Sequence, residues 1–430
     1  MIPLLKDKRI LLGITGGIAA YKICTLASHL TQAGAQVDVV MTEAATRFVA
    51  PLTFEALTGR AVYTTMWPTS EPGHGEAEGQ SRDLSEATST HISHVRLAHS
   101  ADALVIAPAT ANTMAKLAHG VADNLLTAVA LAATCPMLLV PAMDVAMWAN
   151  PATQANVATL RERGVRFAGP VRGRMASGLH GEGRMMEPGE LLGHVRRALG
   201  LRGPLAGRRI VVTAGPTREA LDPVRFISNP SSGRQGFALA QAALDRGADV
   251  TLITGPTHLP TPAGAQRVDV ATARALHDAV IPAVQRADVL LMAAAVGDYR
   301  PASVAPHKLK KSDGDLNLRL ARTRDILSAV ALQWAETRHP HIVLGFAAES
   351  EDVLKNARLK LASKNLDMIV ANDITASDAG FGAETNRVVI LDREGGVEKL
   401  PLMSKAAVAE AVLERVEDLL HRKEEARSKK

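Results

Sequence analysis

Thr213 to Gly236 reads TAGPTREALDPVRFISNPSSGRQG, and the way this stretch folds decides the architecture of the chain. A β-branched run, Arg209-Ile-Val-Val-Thr213, leads into it, and Phe237, Ala240 and Leu244 follow on one helical face. The reading is therefore a strand, a long polar turn and the start of a helix. Gly215, Gly233 and Gly236 allow close backbone approach, and Ser231 and Ser232 offer hydroxyls for capping. Arg218, Arg225 and Arg234 add positive charge where a helix already presents unpaired N–H groups. Most connections run about 4–6 residues. A turn this long and polar, between two core elements, points to a phosphate-rich ligand.

Outward from this unit, the first half of the chain shows the same plan. Residues 9–15 (RILLGIT) read as a buried strand, Gly16 and Gly17 turn the chain, and Ile18, Ile23, Leu26, Ala27 and Leu30 mark a helix ended by Gly34. Val37–Met41 is the next strand, as GADVTLIT (247–254) is in the second half. Each half thus opens with a βαβ unit, which predicts an α/β protein of two Rossmann-like domains with parallel sheets and ligands at the strands' carboxyl ends. Strand–turn units are expected at 103–113 and 137–148, and further buried strands at 289–295, 342–346 and 368–370. The reading divides the chain into a domain at 1–190, a linker at 191–206 and a domain at 207–430. Residues 68–90, rich in Gly, Ser, Glu and Thr, read as a surface insertion that could serve as a lid. Neither first turn carries G-x-G-x-x-G, and G-x-x-x-x-G-K-[ST] is absent, which removes the main support for an ordinary NAD dehydrogenase or P-loop enzyme.

Composition narrows the class further. The 430 residues are 47% hydrophobic and 22% charged, as in ordinary globular proteins, and only 3% aromatic. No apolar run reaches the roughly 18 residues of a membrane span, and no signal-peptide pattern opens the chain, so a cytoplasmic location is expected. Cys24 and Cys135 lie in different apolar segments and encode neither a disulfide framework nor a thiolate metal site. His91, His94 and His99 lack the H-E-x-x-H pattern of a metal helix, so no protein metal site is expected. The net charge of +5 suits anionic ligands, although part of it sits in the tail HRKEEARSKK, read as a frayed helix end. Few aromatics and no known motif argue against nucleic-acid binding.

Two sets of motifs carry a family resemblance. GITGGIAAYK (13–22), PATANT (108–113) and PAMDVAMW (141–148) resemble the flavin-phosphate loop, the PASANT motif and the PxMNxxMW motif of the homo-oligomeric flavin-containing cysteine decarboxylases. Thr213–Gly236, AAAVGDYRP (293–301), HKLKK (307–311), GFAAE (345–349) and ANDI (371–374) resemble phosphopantothenate–cysteine ligases. Their order is similar to that of the bacterial bifunctional coenzyme A biosynthesis family. Apart from residues 68–90, the likeness covers nearly the whole chain.

The resemblance implies a flavodoxin-like N-terminal flavoprotein domain and a C-terminal ligase domain with a mainly parallel sheet. In the ligase, 4'-phosphopantothenate is activated by CTP with Mg²⁺, pyrophosphate leaves, and cysteine's amine attacks the acyl-cytidylate. Such chemistry needs charge neutralisation and positioning more than a protein nucleophile. By resemblance Asn229 matches the asparagine associated with the acyl-cytidylate, and Lys308, beside Lys310 and Lys311, the nucleotide-contacting lysine. Asp298 and Asp325 are candidates for nucleotide or Mg²⁺ contact. Phe346 and Asn372 are candidates for the pocket wall, and Lys360 and Lys364, four apart on a helix, for phosphate. The product, phosphopantothenoylcysteine, is then the substrate of an FMN-dependent decarboxylation. FMN is assigned by resemblance to Gly16, Gly17, Ile18, Thr42, Pro108, Ala109, Thr110, Asn112, Thr113 and Met143. The family assembles as flavoprotein trimers and ligase dimers, which implies a homo-oligomer, a dodecamer. No membrane partner is expected.

The decarboxylase half departs from its family at two of three catalytic positions. His94 matches the family histidine, but Asp144 stands at the asparagine of PxMN and Ser177 at the catalytic cysteine. An ionised Asp144 facing the substrate carboxylate is repelled by about 4 kcal/mol at about 4 Å and an effective dielectric of about 20, unless that neighbour keeps it protonated. A serine hydroxyl is far less acidic than a thiol with its pKa of about 8.5, so Ser177 is a poor donor to the enethiolate product, and His180 is a candidate replacement. Three readings follow. Both activities operate, or an active ligase is fused to a flavin-binding assembly module whose decarboxylase is weak or lost, or the first half stops at the enethiol.

Overall fold

The structure, a computed structural model, describes residues 2–67, 93–310, 315–349, 351–373 and 383–428. The 68–90 insertion, His91 and Lys311 lie outside the described residues. Two compact units are present, Met1–Leu199 and Gly200–Lys430.

In the first unit, β1 (Arg9–Ile14), α1 (Ala20–Gln32), β2 (Gln36–Met41), the short α2 (Glu43–Thr46), α3 (Pro51–Thr58) and β3 (Val62–Tyr63) form one arm. The other arm comprises α4 (Ser93–Ser100), β4 (Ala103–Ala109), α5 (Ala111–His119), α6 (Leu125–Ala132), β5 (Met137–Pro141), α7 (Val145–Ala149), α8 (Pro151–Glu162) and β6 (Arg166–Phe167). The sheet is parallel throughout, in the order β3-β2-β1-β4-β5-β6. Because both of its faces are covered, its strands read as continuous apolar runs rather than alternating ones. Ile10, Leu12 and Ile14 pack with Ile23, Leu26 and Leu30 of α1 on one face. Leu11 packs with Leu104, Ile106, Leu126 and Val129 on the other. An antiparallel ribbon, β7 (Val171–Arg174) and β8 (His180–Arg184), precedes α9 (Pro188–Gly200). Leu191 and Val195 of α9 are fully buried in the first unit's core, so most of the 191–206 stretch read as linker is a packed helix.

The second unit begins with β9 (Arg209–Ala214). The long turn after it contains a hairpin, β10 (Arg218–Ala220) with β11 (Phe226–Ser228), ahead of α10 (Arg234–Asp245). Then come β12 (Asp249–Thr254), β13 (Gln266–Asp269), α11 (Ala273–Val284), β14 (Val289–Met292), a second small ribbon of β15 (Tyr299–Pro301) and β16 (Leu320–Arg322), and α12 (Ile326–Thr337). The chain continues through β17 (Ile342–Glu349), α13 (Val353–Ser363), β18 (Met368–Asp373), β19 (Thr385–Asn386), β20 (Val388–Asp392), β21 (Val397–Lys399), β22 (Met403–Ser404) and α14 (Lys405–Ser428). The main sheet runs β13-β12-β9-β14-β17-β18-β20-β21. Its first six strands are parallel and repeat the first unit's order, and β20 and β21 extend it antiparallel. α10 and α14 cover one face, through Leu239, Leu244, Val408, Val412 and Val416. α11, α12 and α13 cover the other, through Leu276, Val280, Val330 and Ala357. Gly236 lets α10 lie directly on β9, since a Cβ there would stand 2.5 Å from Ala214 Cβ and 2.8 Å from Thr213 O.

Candidate functional site

The second unit carries a cavity of about 750 Å³ at the carboxyl ends of β9, β14, β17 and β18, within the range of small-molecule sites. Residues following β9 and β14 make its floor. Thr213 Oγ1 accepts from Ala294 N at 3.1 Å, Thr217 Oγ1 accepts from Gly297 N at 2.9 Å, and Asn229 Nδ2 donates to Val296 O at 3.1 Å. These bonds hold the turn after β9 against the AAAVGD segment, and the Asn229 bond joins SNPSSG to it across 67 residues of sequence. Ser231, Ser232 and Gly233 lead into α10 along the wall.

Asn229, Asp298, Asp325, Phe346, Lys360, Lys364 and Asn372, all singled out from the sequence, line this one cavity. Lys360 Nζ donates to Phe346 O at 3.1 Å, and Lys364 Nζ is paired with Asp325. Asp325 also caps α12, accepting from Ser328 N at 2.9 Å. Burial raises its carboxyl, but Lys364 and the Ser328 N–H outweigh that and hold it below the usual carboxylate range. Among the described residues, Asp298 and Asp325 are the acidic side chains of the lining, against six cations: Arg234, Arg322, Arg324, Lys360, Lys364 and Lys405. The cavity is therefore built for anions. Among the described residues no three acidic, histidine or cysteine side chains converge as a metal site. A Mg²⁺ ion here would take most of its oxygens from the ligand phosphates and water.

Lys308 differs from the others. It is exposed and is not among the lining residues. Its loop is pinned one residue later, where Leu309 N donates to Asp222 Oδ2 at 3.1 Å and Arg225 Nη2 donates to Leu309 O at 2.5 Å. Asp222 is out of solvent and also takes the N–H groups of Val224 and Arg225 and the Arg225 guanidinium. Burial alone would raise its carboxyl, but these donors hold it far below the ordinary value.

Sequence reasoning missed Gln235, Asn386 and Lys405, which also line the cavity. The ribbon of β19 with β22 brings Asn386 and Lys405 to the start of α10, where Gln235 Nε2 donates to Lys405 O at 3.2 Å. Gln235 Oε1 is buried without a hydrogen-bond partner among the described residues. Nothing in the local sequence of a lysine opening a helix signals a pocket some 170 residues from its neighbour Gln235.

In the first unit, the reversal of strand order falls between β1 and β4, and the residues after both strands meet there. Thr15 Oγ1 donates to Pro108 O at 2.6 Å and accepts from Thr110 N at 3.3 Å. Thr110 caps α5 through Thr113 N, and Thr42 caps α2 through Ala45 N. By contrast α1 has no side-chain cap, and although Ala20 N and Lys22 N donate to Gly17 O and Ala19 O at 3.0 and 3.1 Å, its positive dipole end lies beside Gly16 and Gly17. A Cβ on Gly17 would meet nothing closer than Pro108 Cγ at 3.7 Å, and Ile18 next to it is 61% exposed. A helix N-terminus beside an exposed apolar side chain and neutral hydroxyls suits a phosphate carrying a flat ring. Met143 shares the loop that carries Asp144, and Asn112 lies in the first turn of α5. His94 Nδ1 is buried with no hydrogen-bond partner among the described residues.

The two departures from the family pattern are joined. Ser177 Oγ donates to Asp144 Oδ2 at 2.8 Å, while Asp144 Oδ1 caps α7 by accepting from Ala146 N at 3.1 Å. The ribbon of β7 and β8 makes this possible by lying on the 143–145 segment. Met143 N donates to Gly183 O at 3.0 Å, and a Cβ on Gly181 or Gly183 would strike Val145 or Met143 O, at 2.9 and 2.4 Å. His180 is exposed on β8.

Comparison with known proteins agrees with this division. Residues 4–200 match the family model described as flavoprotein, and residues 205–420 the model described as DNA/pantothenate metabolism flavoprotein C-terminal domain. Among curated relatives, the coenzyme A biosynthesis bifunctional protein CoaBC of Bacillus subtilis is 44% identical over 416 residues, covering 96% of this chain and 97% of its own. The CoaBC of Vibrio cholerae is 45% identical, covering 95% of this chain and 98% of its own. That of Mycobacterium tuberculosis strain H37Rv is 43% identical, covering 95% and 96%.

Proposed function

This chain belongs to the family of coenzyme A biosynthesis bifunctional proteins, and on that premise we propose a ligase in its second unit and a decarboxylase in its first. The ligase joins 4'-phosphopantothenate to cysteine with CTP, and the decarboxylase converts phosphopantothenoylcysteine to 4'-phosphopantetheine with FMN. The observation that carries the ligase reading is the single cavity in which Asn229, Asp298, Asp325, Phe346, Lys360, Lys364 and Asn372 meet under an excess of cations.

In this reading the cations offset the charge of a triphosphate and of the pyrophosphate that leaves, and the rigid floor orients the acyl group for attack by the amine. Asn229 holds the activated acyl group. Lys360 and Lys364 face the nucleotide, with Phe346 and Asn372 beside them. Lys308 stands outside the wall, so its contact with nucleotide requires either movement of its loop or a second copy that presents it. Asp298 or Asp325 would be the protein contact of a Mg²⁺ ion, which would offset phosphate charge there.

In the first unit FMN supplies the redox chemistry of the decarboxylation when bound. The start of α1 and Gly17 take its phosphate, and Ile18, Pro108–Thr110, Asn112, Thr113, Thr42 and Met143 surround the rest. His94, whose Nδ1 has no partner among the described residues, orients the substrate thiol end, and Asp144 and Ser177 face the substrate carboxylate and product. One observation favours a second reading, in which this half releases CO₂ yet delivers the thiol poorly. The Ser177 hydroxyl proton is committed to Asp144, so the group standing at the family cysteine is not poised to donate.

Purified protein supplied with phosphopantothenate, CTP, Mg²⁺ and cysteine tests both halves when pyrophosphate, CO₂ and thiol product are followed separately. Stoichiometric release of all three supports the bifunctional reading. Pyrophosphate without CO₂ leaves an active ligase on a flavin-binding assembly module. Absence of CTP-dependent pyrophosphate sinks the ligase assignment.

A further inference from the structure

Lys308 is exposed, while the backbone around it is held at two points. Ala305 N donates to Leu221 O at 2.9 Å, and both backbone groups of Leu309 are gripped by the side chains of Asp222 and Arg225. The Pro-containing loop from 305 to 309 therefore lies along the turn of the β10–β11 hairpin. That hairpin runs on directly into Asn229 and the cavity wall.

The Asp222 carboxylate divides its work between its two oxygens. Oδ1 accepts from Val224 N at 2.8 Å and from Arg225 N at 2.7 Å, which closes the hairpin turn. Oδ2 accepts from Arg225 Nε at 3.0 Å, from Arg225 Nη2 at 2.7 Å and from Leu309 N at 3.1 Å. Arg225 Nη2 also donates to Leu309 O, so one ion pair holds a peptide 87 residues further along the chain by both its N–H and its C=O. Closing the turn needs one oxygen and no guanidinium. A pair whose carboxylate is wholly out of solvent adds little stability for its charge, because desolvation cancels much of the attraction. Its two-pronged geometry fixes orientation instead. What it orients is the residue directly after Lys308.

We propose that Asp222 is a positioning residue of the ligase, which through Oδ2 and Arg225 sets the direction in which the 305–309 loop presents Lys308 to the nucleotide. This inference rests on the ligase reading and adds to it a residue that acts without touching a substrate. Whether the loop moves or lies against a second copy, its lysine arrives aligned, and less freedom is lost when it meets the phosphates.

Asp222→Asn tests this, because an amide keeps the oxygen that closes the turn and puts an NH₂, which cannot accept, where Leu309 N and the guanidinium donate. Pyrophosphate release by the full chain is followed with CTP and then cysteine as the varied substrate, for wild type, Asp222→Asn, Lys308→Gln and the double variant. Asp222→Asn is expected to raise the KM for CTP by about tenfold, the worth of one charge-assisted bond, and to leave that for cysteine within about twofold. In the Lys308→Gln background, where the residue being positioned is gone, it should add less than about twofold. The same loss with and without Lys308, an equal rise for both substrates, or an unchanged KM for CTP overturns the proposal and leaves Asp222 a structural part of the hairpin. If Asp222→Asn fails to fold, hydrogen exchange of the wild-type chain decides. Slower exchange of the Leu309 amide when CTP binds supports the proposal, and the same rate with and without CTP overturns it. Wild type that releases no CTP-dependent pyrophosphate overturns the ligase reading itself, a result distinct from an unaffected variant.

Discussion

Ser177 and Asp144 show what a sequence hides at the scale of single residues. Each looked like an isolated loss when judged against the family pattern, yet they hydrogen-bond to one another at 2.8 Å. The contact depends on a ribbon folding back over 30 residues, which no local pattern encodes. Their effects should therefore be coupled. Ser177→Cys alone leaves a thiol next to a carboxylate, which opposes thiolate formation. The Asp144→Asn, Ser177→Cys double variant should exceed the product of the single effects on thiol formation, by severalfold in a double-mutant cycle. Multiplicative effects in single-turnover assays of phosphopantetheine would refute the coupling. In the ligase, Lys364→Met leaves Asp325 without its ammonium partner inside an anion-binding cavity. Apparent KM for CTP should rise by about tenfold with little change in that for cysteine. An equal rise for both substrates would assign Lys364 a structural role instead. Most of the ligase-half candidates were legible because they sit in motifs directly after strands, where parallel sheets aim their loops. Lys405 was not, because its place is set by a ribbon and a helix that meet α10 late in the chain.

The long elements were readable from their apolar runs, and the small ones were not. β10–β11, β15–β16 and β19–β22 are ribbons of two or three residues per strand, too short to show period-two alternation. The antiparallel β20 and β21 sit on the end of a sheet expected to be mainly parallel, and nothing in their own sequence marked them as its antiparallel part. The recurrent A-D-x-L at the start of β4 and β14 has a plain structural purpose. Asp102 accepts from Arg9 N and Asp288 from Arg209 N, both at 2.8 Å, so each staples the first strand to its neighbour. Burial raises the Asp102 carboxyl, but Lys8 and the Arg9 N–H outweigh it and leave it lowered. Its contribution to stability is then fully present above the unfolded value of about 3.9 and is lost as pH falls through the lower folded value. Asp102→Asn should cost less than about 1 kcal/mol at pH 7, since the pair is partly exposed, and the difference from wild type should shrink below about pH 4. Urea titrations at pH 7 and pH 3 check this, and a difference that grows in acid would contradict it. Gly236→Val should cost about 1–3 kcal/mol or more, because β9 backbone lies where the side chain would go. An unchanged melting temperature of the second unit would count against that contact.

Over the whole molecule, the two units repeat one strand order, and each keeps its site where the order reverses or at the strand ends beside it. That symmetry was visible in the two opening βαβ patterns, although the boundary at Leu199 was not, because α9 looks like a tether in sequence and is core in structure. Since each unit owns its core, removing residues 405–430 should unfold the second unit alone. Val408, Val412, Leu413 and Val416 would leave its centre, while the first unit keeps its own apolar packing. Retained flavin absorbance together with loss of CTP binding is the expected outcome, and loss of both would show that the units depend on each other. Lys405 places the start of α10 and the beginning of the last helix at one ligand wall. On the ribosome, a nascent chain would therefore display every motif of the ligase before it had a pocket to put them in, and nucleotide capture would begin only once α14 had emerged and docked.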